Sequence, residues 1–221
     1  MIQVGQKYAL GDVEHVFPPL TLSGKFKYTS KVKDAHKRLL LLLDDFDTLC
    51  ELQDIEYTIG GVTLLGAVRH GGFVPWEPNA EVEMLETDAI QLEKIYAQPS
   101  DWILKKVGYG YRIHKKNESS PYLDVLLTTY SKILHKYVFM DERRREEFPL
   151  YESLYAELHP RRRYTYENIM LWGPQYGEEL CQRRYGVECL SVAVVGGGEG
   201  WQMKLLKVLK LIQRLLMLER K

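Results

Sequence analysis

The sequence is short of several things, and each shortage excludes a class of protein. Across its 221 residues there are three cysteines, Cys50, Cys181 and Cys189, which leave an odd thiol and form neither a CxxC pair nor a Cys/His cluster at zinc-ligand spacing. A structural zinc site is therefore not expected. Excess charge is absent too: 30 Lys and Arg balance 30 Asp and Glu. No overall field draws the chain to nucleic acid, and any anion-binding role must come from a local patch. The longest apolar run, Leu39 to Leu43, falls far short of the ~20 residues a membrane-spanning helix needs. The opening MIQVGQKYALGDVEHVF lacks the basic start and apolar core of a signal peptide. The chain reads as soluble and suited to a reducing compartment, and it carries no internal repeat.

What is present is an ordinary globular composition, 45% apolar and 27% charged, enough for one large domain or a domain with a small appendage. Residues 1 to 30 show scattered Gly and Pro with little periodicity and read as an irregular lead-in. From Lys31 to Gln53, charged residues surround Leu39 to Leu43, Phe46, Leu49 and Cys50, a pattern that predicts a long helix with a broad buried stripe. IEYTIGG then alternates into a double glycine, as a short strand entering a tight turn does, and TLLGAVRH continues as a short helix. A strand is expected over Ala80 to Leu85, a helix over 86 to 97, one or two strands over 101 to 115 broken at Gly108-Tyr109-Gly110, and another strand from Tyr122. Pro149, Pro160 and Pro174 punctuate a stretch that reads as loop-rich, followed by a short helix in GEELCQRRYG. After the run Gly196-Gly197-Gly198-Glu199-Gly200, a hinge, residues 201 to 221 form a basic amphipathic pattern suited to docking or to an anionic membrane surface. The fold class is α/β mixing.

The informative stretch lies between Ile55 and Met84. Strand alternation sends Asn79, Glu81 and Glu83 to one side and Ala80, Val82 and Met84 to the other, so one face is free to hold a metal while the other packs. Two carboxylates at i and i+2 suit a hard cation such as magnesium or manganese, which keeps substrate phosphates among its ligands. A glycine turn lets backbone N–H groups approach phosphate, and Arg69 with His70 can neutralise further charge. Trp76 is equally suited to stacking a base or sugar and to anchoring the fold. The run Arg161-Arg162-Arg163-Tyr164-Thr165-Tyr166 reads first as a solvated loop and second as a grip on an anionic donor or acceptor. No thiol nucleophile is expected.

The run GGVTLLGAVRHGGFVPWEPNAEVEM resembles the signature of the LicD and fukutin-like branch of the nucleotidyltransferase fold, roughly GGTLLGAxRHGGFIPWDDDIDxxM. The lead helix ending DDFDTLCELQDIEYTIGG, the strand SSPYLDVLL, and the landmarks RRREEFPL and CQRRYG extend the likeness over about Lys31 to Gly186. Where the family has DDDID, this sequence has Glu77-Pro78-Asn79-Ala80-Glu81, and Val62 is an extra residue after the double glycine. Glu81 and Glu83 restore an acid-apolar-acid pattern displaced along the strand.

The resemblance implies a nucleotidyltransferase-like mixed sheet flanked by helices over residues 31 to 195. It implies a phosphotransferase that moves a phosphorylated group from a nucleotide-activated donor to a glycan hydroxyl with magnesium or manganese. Glu81, Glu83 and Asp124 then serve as catalytic acids and, with Asn79, as metal ligands. Gly60, Gly61, Arg69, His70 and Trp76 line the substrate side. The altered acidic motif motivates an alternative: a catalytically inactive relative that binds a nucleotide-sugar or regulates a glycan-modifying partner. By the same resemblance the compartment is the cytoplasm or the secretory-pathway lumen.

Overall fold

In a computed structural model of the chain, the structure describes residues 29–194 throughout and, ahead of them, three short strands at 7–10, 13–16 and 21–23. The glycine hinge and the basic amphipathic segment expected over 196–221 lie outside the described residues. The lead-in is less irregular than the sequence suggests: β1 (Lys7–Leu10) pairs antiparallel with β2 (Val13–Val16), and β3 (Thr21–Ser23) follows. Such three- and four-residue strands depend on their partners rather than on local periodicity, which leaves little to read in the chain itself.

The predicted long helix forms as α1 (Ser30–Leu52), opened by Thr29, whose hydroxyl accepts the Val32 N–H. Leu39, Leu42, Leu43, Phe46 and Cys50 recur at helical spacing and are all buried, the stripe that fixes the helix against the sheet. Two residues of strand, β4 (Thr58–Ile59), lead into α2 (Gly61–His70), which stops at Gly71 in the left-handed region (φ 68°). That conformation suits glycine at a helix C-terminus. The chain returns as β5 (Ala80–Leu85), then α3 (Glu86–Tyr96), and the β6 (Trp102–Val107) and β7 (Gly110–Lys115) hairpin follows.

The long strand β8 (Tyr122–Ser131) organises the sheet. On one edge it pairs in parallel with β5, which pairs antiparallel with β4. Its other edge is shared: β7 takes the first half and β9 (Lys136–Phe139) the second, both antiparallel. The handover is at Leu127, whose N–H donates to the Tyr109 carbonyl while its carbonyl accepts from Met140. A sheet containing both parallel and antiparallel neighbours, flanked by helices, is the mixed α/β architecture expected.

The charged stretch after β9 forms α4 (Glu142–Glu147), capped by Asp141, and leads through a single turn at Pro149–Tyr151 to β10 (Ser153–Leu154) on the edge of β9 and to α5 (Tyr155–Leu158). The stretch that reads as loop-rich is in part a hairpin, β11 (Arg162–Tyr166) with β12 (Ile169–Gly173). Then α6 (Gly177–Tyr185) packs on α2, and β13 (Val192–Val194) pairs in parallel with β3. The alternation of β5 is realised: Ala80, Val82 and Met84 are fully buried in one core with Leu123 and Val125 of β8, beneath α1 and α3. The opposite face of the sheet, beside α2 and α6, carries the acids.

Candidate active site

β5 and β8 run side by side with Glu81 opposite Asp124 and Glu83 opposite Leu126. Residues in register on neighbouring strands share a face, so the structure brings Glu81, Glu83 and Asp124 to one side of the sheet. What surrounds each carboxylate then separates them.

Glu83 is committed to an arginine. Arg184 of α6 donates from Nη1 to Glu83 Oε1 at 2.6 Å and from Nη2 to Oε2 at 3.2 Å, with side chains 2% and 8% exposed for Arg184 and Glu83. Arg184 also donates to the Tyr151 carbonyl and the Ser153 hydroxyl, locking α6 and the Pro149–Tyr151 turn over the sheet. Because Arg184 is sealed from solvent as well, with no water to receive its charge, this bidentate pair leaves little carboxylate for a cation. The ligand role that the sequence suggests for Glu83 is thus taken over by a structural one, because its strand position falls under α6.

Glu81 is placed differently. Its backbone N–H donates to Thr63 Oγ1 at 2.7 Å, and its Oε2 accepts the Val62 N–H at 3.2 Å, so the carboxylate sits at the N-terminus of α2. Burial pushes this carboxyl above its ordinary value, opposed by the Arg144 guanidinium and the Val62 N–H and reinforced by Asp124 and Glu83. The double glycine makes the approach feasible. A Cβ on Gly61 (φ 48°) would lie 1.6 Å from Glu81 Oε2, and one on Gly60 would lie 2.5 Å from Glu83 Oε1. Gly60 and Gly61 therefore admit the protein's own carboxylates to the positive end of a helix, where an anion is stabilised.

Asp124 is held by β7. Arg112 donates from Nε to Asp124 Oδ1 at 2.8 Å and from Nη2 to Oδ2 at 3.1 Å. The same guanidinium donates to the Tyr109 hydroxyl at 2.6 Å and lies 3.5 Å from the Tyr122 ring centroid. Arg144 stacks 4.6 Å from the Tyr109 ring. Two arginines thus act on the acid pair, Arg112 by its ion pair with Asp124 and Arg144 by its charge on Glu81. Asn79, one residue ahead of β5, has its Oδ1 buried without accepting a hydrogen bond. Glu77 is near enough for Glu81 to raise its carboxyl, after burial as the larger cause.

The loop carrying Trp76 to Asn79 is braced by α1. His36 Nε2 donates to the Glu77 carbonyl at 2.7 Å, and its ring stacks on Phe73 at 4.3 Å. Glu167 of the β11–β12 turn accepts the Phe73 N–H. Arg69 is engaged elsewhere: it donates from Nε to His70 Nε2 and from Nη1 to the Cys189 carbonyl at 2.9 Å. Trp76 packs beside both, 5.8 Å from the Arg69 guanidinium and edge-on to His70 at 6.3 Å. Arg69 fastens the C-terminal part of the described chain to α2 through the Cys189 carbonyl. The basic run at 161–163 is likewise consumed by the fold. Arg161 donates to Glu56 and to the Tyr57 carbonyl, Arg163 donates to Asp47 and Glu51, and both lie over Trp172. All three cysteines are buried and unbridged, and burial pushes Cys181 up to about 12, which bars a thiolate role.

Sequence reasoning missed Arg112, Arg144, Tyr109 and Tyr122. Arg112 stands across a strand pair from Asp124, and nothing local announces which strands pair. Arg144 lies in the RRREEFPL landmark, so a signal existed there without a role attached.

With this geometry established, comparison with known proteins identifies the lineage. The family described as LicD/FKTN/FKRP, nucleotidyltransferase domain, matches residues 54–176, a span from just before β4 to just before α6. The chain belongs to this family. An uncharacterized protein of Rickettsia prowazekii, RP689, is 28% identical over 170 residues, covering 73% of this chain and 59% of that protein. An uncharacterized Rickettsia typhi protein, RT0683, is 29% identical over 138 residues, 62% of this chain and 41% of that one. The lipopolysaccharide cholinephosphotransferase LicD of Haemophilus influenzae is 51% identical over 45 residues, 20% of this chain and 17% of the relative. The chain thus spans three-fifths or less of these relatives. Within the LicD-type domain described here, no helix is long and apolar enough to cross a membrane.

Proposed function

We propose that this LicD-type domain is a metal-dependent phosphotransferase, with Asn79, Glu81 and Asp124 as the cation-facing group. The observation that carries the reading is Glu81 in register with Asp124, beside a buried Asn79 Oδ1 that accepts no hydrogen bond. Three hard oxygen donors with two formal negative charges suit magnesium or manganese, which retain open positions for water and phosphate oxygens. Bound there, such an ion would neutralise a donor diphosphate and the charge that develops on its leaving group.

The chain's own residues complete the chemistry. Glu83 with Arg184 anchors β5 under α6, so that Glu81 keeps its place at the α2 N-terminus. Arg112 and Arg144 serve as cations for the donor phosphates, and release of Arg112 from Asp124 exchanges one anionic partner for another. Tyr109 and Tyr122 hold Arg112 in orientation. The acceptor oxygen would then bond to phosphorus as the bond to the departing nucleotide breaks in line, its proton passing to solvent. The named Haemophilus relative transfers cholinephosphate to lipopolysaccharide, which makes a cytidine-diphosphate-linked donor and a glycan hydroxyl the first substrates to try.

A second reading is favoured by Asp124 being already closed by a bidentate arginine and by Pro78 and Asn79 standing where the family signature is acidic. It is a silent relative that retains nucleotide binding. Turnover of CDP-, GDP- and UDP-linked donors with magnesium or manganese separates the two. Turnover lost in Glu81→Gln and Asp124→Asn supports the enzyme, equal rates in all three proteins remove the proposed site, and metal-independent binding without turnover supports the silent form.

A further inference from the structure

The β8–β9 hairpin ends in a four-residue loop, Lys132 to His135, closed by the Ser131–Lys136 register pair. The loop is built by its own bonds: the Leu134 N–H donates to Ser131 Oγ at 3.3 Å, and His135 takes a left-handed conformation (φ 52°). At the tip, however, stand two branched aliphatic side chains. Ile133 is 91% exposed and Leu134 53% exposed. Polar residues are the usual occupants of such a turn, so a well-formed loop presenting two adjacent aliphatics to solvent calls for a partner.

Four neighbouring side chains extend the apolar surface. Leu154 of β10 is in register with Lys136, Tyr130 and Tyr137 face each other with ring centroids 5.1 Å apart, and Tyr155 stacks on His159 at 4.4 Å. Leu154 and Tyr155 are 43% and 56% exposed. The charge of the hairpin has one sign. From Val125 to Met140 the sequence contains no Asp or Glu, while Lys132 and Lys136 flank the tip pair and His135 joins them. Lys136 meets Glu152 at the base, and Lys132 stands exposed beside Ile133.

We propose that this hairpin tip docks the protein on an anionic lipid surface. Ile133 and Leu134 enter the boundary between headgroups and acyl chains, Tyr130 and Tyr155 lie at headgroup level with their hydroxyls wet, and Lys132 at the tip meets a lipid phosphate. Apolar tip, tyrosine collar and basic flank together are what an interfacial anchor needs. A second protein copy is less well matched, because the hairpin from Val125 to Met140 carries no acid of its own to meet Lys132 of its image. The docking stands independently of the reaction proposed above.

The test uses the full chain and vesicles of phosphatidylcholine with or without phosphatidylglycerol. Partition onto the anionic vesicles is expected to exceed that onto neutral ones. The variant Ile133→Ser/Leu134→Ser, altered at exposed positions, should weaken it by about tenfold or more at unchanged circular dichroism. Leu134→Cys carrying an environment-sensitive dye should shift to the blue on anionic vesicles. That shift reports the tip itself and so separates it from the basic segment at 201–221. Equal partition of wild type and the double variant, or no dye shift while the chain is bound, overturns the proposal. So does a wild-type dimer in sedimentation velocity that the double variant abolishes, since the patch then serves a second copy.

Discussion

Glu81 and Glu83 lie two residues apart on one strand and face the same side of the sheet, yet their surroundings differ completely. Glu83 is sealed by Arg184 in a bidentate pair under α6. Glu81 has no ion pair within contact distance among the described residues; it rests on one backbone N–H and feels Arg144 from further off. The charge of one is cancelled inside the protein, and the charge of the other is raised in energy by burial. A half-buried carboxylate with no ion pair, next to a second acid, is what a cation site requires and what a stable scaffold avoids.

The largest expected effect sharpens that contrast. Glu83→Gln leaves Arg184 charged and buried without its counterion, and should cost about 3–5 kcal/mol in urea unfolding. Replacing both partners, Glu83→Leu with Arg184→Met, should recover most of that loss, since an apolar pair has no charge to desolvate. If Glu83→Gln is as stable as the wild type, the pair does not hold α6 down.

Glu81→Gln is expected to go the other way. Glutamine can still accept the Val62 N–H through its carbonyl, but it carries no buried charge. It should stabilise the fold by about 1 kcal/mol, roughly 2–4 °C in melting temperature for a domain of this size, while divalent-ion affinity falls at least about tenfold. Loss of stability in this variant would mean that Glu81 is as structural as Glu83.

The pH dependence follows with a definite sign. Glu81 has a folded value raised above the ordinary 4.5, so the folded protein holds this proton more tightly than the unfolded chain. The associated stability is present below the ordinary value and is lost as pH rises through the raised one. Wild type should therefore lose stability relative to Glu81→Gln over that window, while divalent binding strengthens across it. Matched thermal melts and titrations over the window check both slopes; parallel stability curves would contradict the assignment.

The smallest effect is expected at Arg112. Arg112→Gln removes a guanidinium that shares Asp124 with any incoming cation, so manganese binding should tighten a few-fold while donor turnover falls. Calorimetry and initial rates measure the two separately, and weaker cation binding in this variant would show that Arg112 supports the site rather than guards it.

How far the sequence reached follows the same division. The alternation of Asn79, Glu81 and Glu83 against Ala80, Val82 and Met84 was legible, because strand geometry is local. Family resemblance supplied Asp124 as a third carboxylate, but that it stands opposite Glu81 is visible only in the strand register. Which acid would be neutralised was beyond reach: Arg112 arrives from an antiparallel neighbour and Arg184 from a helix 101 residues on, and neither pairing leaves a local mark. The β11–β12 hairpin did leave one. Tyr164 and Tyr166 alternate toward the core, Glu167 and Asn168 make the turn, and Ile169 and Leu171 return, but the prolines on either side drew attention to loops.

Glu81 and Asp124 are proposed to share a cation. The most direct measurement is manganese titration of the full chain, followed by the paramagnetic signal of the free ion, in the presence of a CDP-linked donor. One tight ion is expected for the wild type, with its loss in both Glu81→Gln and Asp124→Asn, each shown folded by circular dichroism. Unchanged binding in these two variants, or no ion bound by the wild type, would contradict it.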